Sequence, residues 1–103
     1  MAVIHLCETA EKLEDGEGNS IIKGEDFHIM LQKGAGRLHA CGADEFFYVL
    51  KGEGELLIED KLYTMKEGEG IMVRAGKKHK RRTPNVCWLV IAKHPHQHTH
   101  FEE

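Results

Sequence analysis

Asp44-Glu45-Phe46-Phe47-Tyr48-Val49-Leu50-Lys51-Gly52-Glu53-Gly54 is the stretch whose reading decides the fold. Residues 45–50 are rich in aromatic and β-branched side chains, which suit a pleated, half-buried surface better than a helix. Gly52 and Gly54 then punctuate the run as turn residues do. Successive side chains on a strand point to opposite faces, so Phe46, Tyr48 and Leu50 lie opposite the Glu45 face.

The same grammar extends in both directions. Ala2 to Leu6 and Ser20 to Lys23 are short apolar segments, and Phe27 to Gln32 alternates until Gly34-Ala35-Gly36. Glu55 to Glu59 and Leu62 to Met65 form a hairpin expected to turn at Asp60-Lys61, and Ile71-Met72-Val73 follows Gly68-Glu69-Gly70. Val86 to Ala92 is the most apolar run and reads as a buried strand. Thr9 to Asp15 has room for one helical turn before Gly16 and Gly18 stop it; no helix of normal length can be placed. Short strands at regular spacing with glycine turns predict an all-β protein, a small antiparallel barrel or sandwich.

Composition bounds the rest. A chain of 103 residues is expected to be a single domain, 1–103, with no linker and no repeat. It buries roughly two-thirds of its unfolded surface, enough for one modest core. The net charge of −3 offers no basic footprint for nucleic acid. No apolar run approaches the roughly 20 residues of a membrane span, and the N-terminus has neither the basic region nor the apolar stretch of a signal peptide. Cys7, Cys41 and Cys87 are odd in number and widely spaced. That argues against a disulfide framework and for a reducing cytoplasm.

One set of side chains is spaced for chemistry. On a strand, residues i and i+2 share a face about 6.6 Å apart, so His39 and Cys41 project together. Glu45 follows a short Gly42-Ala43 turn and can point back into the same volume, and His79 arrives from a distant strand after a turn at Gly76. His39, Glu45 and His79 make a two-histidine, one-carboxylate set suited to iron(II) or manganese(II) with open positions. A Cys41 thiolate in the set favours softer metals such as zinc, whereas a plain buried thiol is the other reading of Cys41.

Gly36, His39, Cys41, Glu45 and Gly52, followed by Gly68, Gly76 and His79, resemble the two halves of the cupin signature, motif one at about 34–54 and motif two at about 68–83. The resemblance implies a small single-domain cupin barrel and a divalent metal ion held by His39, Cys41, Glu45 and His79: iron, manganese, zinc or nickel. Three positions depart from the family pattern: Cys41 stands where a second histidine is expected, Arg74 where proline is usual, and Thr83 where asparagine is common.

Two arginines complete the candidate site. In Lys77-Lys78-His79-Lys80-Arg81-Arg82, alternation puts Arg81 on the face of His79, and the same counting puts Arg37 on the face of His39. An arginine inside a small barrel needs an anionic partner, either Glu45 or the carboxylate or phosphate of a substrate. Arg37 and Arg81 are therefore the expected substrate-binding residues. The segment 94–100 carries His94, His96, His98 and His100, which share a face if extended. Such a tract can bind metal, and a loose terminal segment is the alternative.

The expectation is a metal-dependent cupin-type enzyme acting on a small polar, anionic molecule, with isomerisation and oxygenation both implied by the resemblance. The alternative is a non-catalytic small-molecule-binding module, a sensor or carrier. The apolar face of Phe46, Tyr48 and Leu50 makes a homodimer the expected assembly.

Overall fold

The computed structural model describes residues 3–93 and 97–102. In chain order the elements are α1 (Leu6–Glu11), β1 (Gly18–Lys23), β2 (Phe27–Lys33), β3 (His39–Cys41), β4 (Glu45–Lys51), β5 (Gly54–Ile58), β6 (Lys61–Met65), β7 (Gly70–Val73), β8 (His79–Arg81), β9 (Cys87–Lys93) and β10 (His98–His100). The strands form two five-stranded antiparallel sheets, ordered β1-β2-β9-β4-β7 and β10-β3-β8-β5-β6. This is a jelly-roll sandwich.

The core follows from alternation. Phe47, Val49, Val73, Trp88, Val90, Ala92 and Met30 turn inward from the first sheet and meet Leu56 and Met65 of the second. Trp88 and Phe47 are the two largest buried side chains and stack edge to face, with ring centroids 6.1 Å apart. Glu45, His79 and Arg81 are buried with this core, and Phe47 packs against His79.

Two local expectations shift. The helix begins earlier than Thr9, at Leu6. Leu6 and Ala10 stand four residues apart, so they share one helical face, and that face, with Leu13 just past the helix end, packs on Leu31, Leu50 and Leu89 outside the first sheet. The β5–β6 hairpin turns at Glu59-Asp60 rather than Asp60-Lys61. Lys61 stays in the ladder opposite Ile58, and Glu59 takes the left-handed conformation the turn requires (φ 54°).

Candidate metal and anion site

Strand pairing brings the site together. His39 of β3 is directly opposite His79 of β8, and Cys41 of β3 is opposite His98 of β10. Residues opposite one another on paired strands share a face, so these four side chains lie on the inner face of the second sheet. The turn before β8 is tied to β3 where the Gly76 N–H donates to the Cys41 carbonyl at 2.9 Å. Gly76 has φ 84°, a conformation glycine adopts without strain. Glu45 faces them from β4 of the other sheet, and its side chain is only 2% exposed.

The hydrogen bonds around the histidines determine what they offer. His39 Nδ1 lies 2.9 Å from the Arg37 carbonyl, and His79 Nδ1 lies 2.9 Å from the Lys77 carbonyl. A carbonyl oxygen only accepts, so both Nδ1 atoms carry a proton, and each Nε2 is the ring nitrogen turned toward the cluster. The rings are 4.2 Å apart. His79 Nε2 sits 3.0 Å from Glu45 Oε1, yet both atoms are buried and neither has a hydrogen bond of acceptable geometry. His98 Nε2 lies 3.6 Å from the other oxygen, Oε2. Ligand atoms of His39, Glu45 and His98 all fall within 4.8 Å of one another. His39, Glu45 and His98 thus form a cluster that could hold a metal ion.

Electrostatics agree with this arrangement. Burial raises the Glu45 carboxyl, but His79 and His98 outweigh it and hold its pKa down at about 2, so the carboxylate is ionised at neutral pH. Burial holds the His39 imidazolium below its ordinary value, favouring the neutral, ligating ring. Burial also raises the Cys41 thiol, although the Ala43 and Gly42 backbone amides oppose the shift. Cys41 and His79 are both buried, and neither is a member of the His39–Glu45–His98 cluster among the described residues.

Arg81 is buried on the same inner face, opposite Leu56. Its Nη1 is buried with no hydrogen-bond partner, and burial lowers its pKa to about 10 against the pull of Glu45 and Asp15. Arg37 corrects the expected register: residues 34–38 are not strand, so alternation from His39 does not reach it, and its side chain is exposed. Arg74 and Thr83, the other departures, have local structural partners. Arg74 Nη1 donates to Asp44 Oδ2 at 3.0 Å, and Thr83 Oγ1 accepts the Glu55 N–H at 2.9 Å.

The placement of His98 was not legible in the sequence. Its alternating tract puts four histidines on one face, but no local pattern says which strand the tract pairs with. His94 and His96 lie outside the described residues. His100 stands opposite His39, with ring centroids 5.7 Å apart.

A family model described as "Cupin domain" matches residues 27–92. A search of curated proteins found no match. Among solved structures, a cupin-2 domain-containing protein from Shewanella frigidimarina shares 22% identity over 87% of this chain and 92% of its own, with a TM-score of 0.71. The DMSP lyase DddQ from Ruegeria pomeroyi shares 18% over 79% of this chain, with a TM-score of 0.72; the match spans 48% of that protein. KdgF from Halomonas sp. shares 14% over 74% of this chain and 76% of its own, with a TM-score of 0.65. At these identities the likeness is one of fold.

Proposed function

The chain belongs to the cupin family, and from that premise we propose that it is a metal-dependent enzyme acting on a small anionic molecule. His39, Glu45 and His79 are the residues that would hold the cation. When bound, a divalent ion supplies Lewis-acid polarisation of a substrate oxygen. The chain's own residues do the rest. The Arg37 and Lys77 carbonyls fix the two rings with Nε2 facing inward, the kind of outer contact that orients metal ligands. Phe47 packs edge-on against His79 at 5.3 Å and helps exclude water from the inner side.

The observation that carries the substrate class is Arg81. A buried guanidinium with a bare Nη1 is costly unless something anionic arrives to meet it. Glu45 and Asp15 pull on it electrostatically, but neither meets Nη1 with a hydrogen bond. A carboxylate or phosphate on the substrate matches the planar fork and would lie beside the cation.

The test is a ligand panel on metal-loaded protein, read by thermal shift and calorimetry. Carboxylates and phosphates should raise the melting temperature, and neutral sugars should not. Arg81→Met should weaken the best anion by about 2–5 kcal/mol, as expected for a desolvated charge pair. Equal binding of neutral and anionic ligands contradicts the proposal. Tight anion binding without metal-dependent conversion of any ligand would favour a binding module instead.

A further inference from the structure

We propose that His98, carried on the C-terminal strand β10, is a metal ligand that replaces the one lost at Cys41. This inference rests on the metal-binding reading above. Position 41 shares its face with His39, so a long ligating side chain there would project into the cluster, whereas a cysteine is short. The residue directly opposite Cys41 on the neighbouring strand is His98. Its imidazole comes from one strand further out, over the space a small side chain leaves.

Three observations support the assignment. His98 Nε2 is 3.6 Å from Glu45 Oε2, while His79 takes Oε1, so the two rings flank opposite oxygens of one carboxylate. The His39 and His98 rings meet edge-on with centroids 5.1 Å apart. His39, Glu45 and His98 also form a compact ligand cluster among the described residues.

β10 is held in the register this role needs. The Gly42 N–H donates to the Gln97 carbonyl at 2.7 Å, and the Phe101 N–H donates to the Leu38 carbonyl at 3.0 Å. Those bonds bracket the three paired residues, and Lys78 Nζ sits 4.5 Å from the centre of the Phe101 ring. The His98 side chain is 29% exposed, against 2% for Glu45. It is therefore the solvent-side ligand, and β10, an edge strand that among the described residues pairs with β3 alone, becomes a strap coupled to the ion.

Cobalt(II) titration of the full chain, followed by visible absorption and calorimetry, tests this. His94→Gln and His96→Gln form the background, which removes tract binding. One cobalt per chain is expected. His98→Ala should weaken it by roughly tenfold or more, the scale on which even outer contacts to a metal act. Cys41→Ser should leave affinity unchanged, and the spectrum should lack thiolate-to-cobalt charge transfer. Cobalt should also slow exchange of the Gly42 and Phe101 amides, an effect lost in His98→Ala. Melting of the metal-free variants confirms that each folds. Unchanged affinity in His98→Ala, or a charge-transfer band abolished by Cys41→Ser, overturns the proposal while leaving a metal site in place. Unchanged affinity in His39→Ala and His79→Ala overturns the metal-binding reading itself.

Discussion

Gly36 shows how one residue without a side chain shapes the anion site. A Cβ there would come within 2.6 Å of Arg81 Nη2, and the Gly36 N–H donates to the Arg81 carbonyl at 2.9 Å. Gly36→Ala should therefore push the guanidinium aside. Anion affinity should fall about tenfold with little change in cobalt affinity; a loss of both in equal measure would place Gly36 in general packing instead. Arg81→Met should stabilise the metal-free protein by about 1 kcal/mol, because it removes a buried, partly unsatisfied charge; urea unfolding of both forms decides, and a drop in stability would contradict this reading of Arg81. His39 sets a pH dependence. Its folded pKa is held below 6.5 by burial, so the unfolded chain takes up a proton that the native ring resists. That stability is present above 6.5 and drains away as pH falls through it. Melting of the metal-free protein should drop between about pH 7 and about pH 5, and less so in His39→Gln. A flat profile would mean the ring is not desolvated. At this scale His39, Glu45, His79 and the inward face of Arg81 could be read from spacing alone. Arg37 could not, because alternation holds only along a strand, and β3 begins at His39.

The core strands were readable because each carries some local signal: aromatic and β-branched side chains ended by Gly52 in β4, alternation ended by Gly34 in β2, and a long apolar run in β9. β10 and α1 were less readable, since both are defined by what they dock on. α1 is six residues long, too short to be stable alone, and exists through its contact with the first sheet. Ala10 is 0% exposed and packs with Leu31 and Cys87. Ala10→Glu should lift the helix and unmask the Cys87 thiol. In a Cys7→Ser, Cys41→Ser background, a thiol reagent should then label Cys87 many times faster than in the parent. Equal labelling rates would show that Cys87 is protected by the sheet alone. β10 illustrates the same limit from the other end of the chain: its histidines were visible, but their destination depended on a pairing between residues nearly sixty positions apart.

Across the whole molecule the two outer faces differ. Ile22, Ile29, Ile91, Phe46 and Met72 stand opposite one another in register, strand by strand across the first sheet, beyond the reach of α1. Met72 is 44% and Ile22 38% exposed at the ends of that row. The second sheet's outer face is mixed: Glu55 stands opposite Thr64, and Lys80 stands opposite Leu57, which itself faces Leu62. A row of like apolar residues is self-complementary about a twofold axis, and we propose a second copy of the chain as its cover. Sedimentation should give a dimer that Met72→Lys converts to monomer; a monomeric parent would refute this. No helix among the described residues is long and apolar enough to cross a membrane. The central claim is that His39 and Glu45, with the buried His79 beside them, hold a divalent cation. Elemental analysis of untagged protein, purified under reducing, anaerobic conditions in the His94→Gln, His96→Gln background, tests it most directly. The account predicts about one metal ion per chain, lost in His79→Ala. A parent protein that carries no metal and takes up none on reconstitution would contradict it.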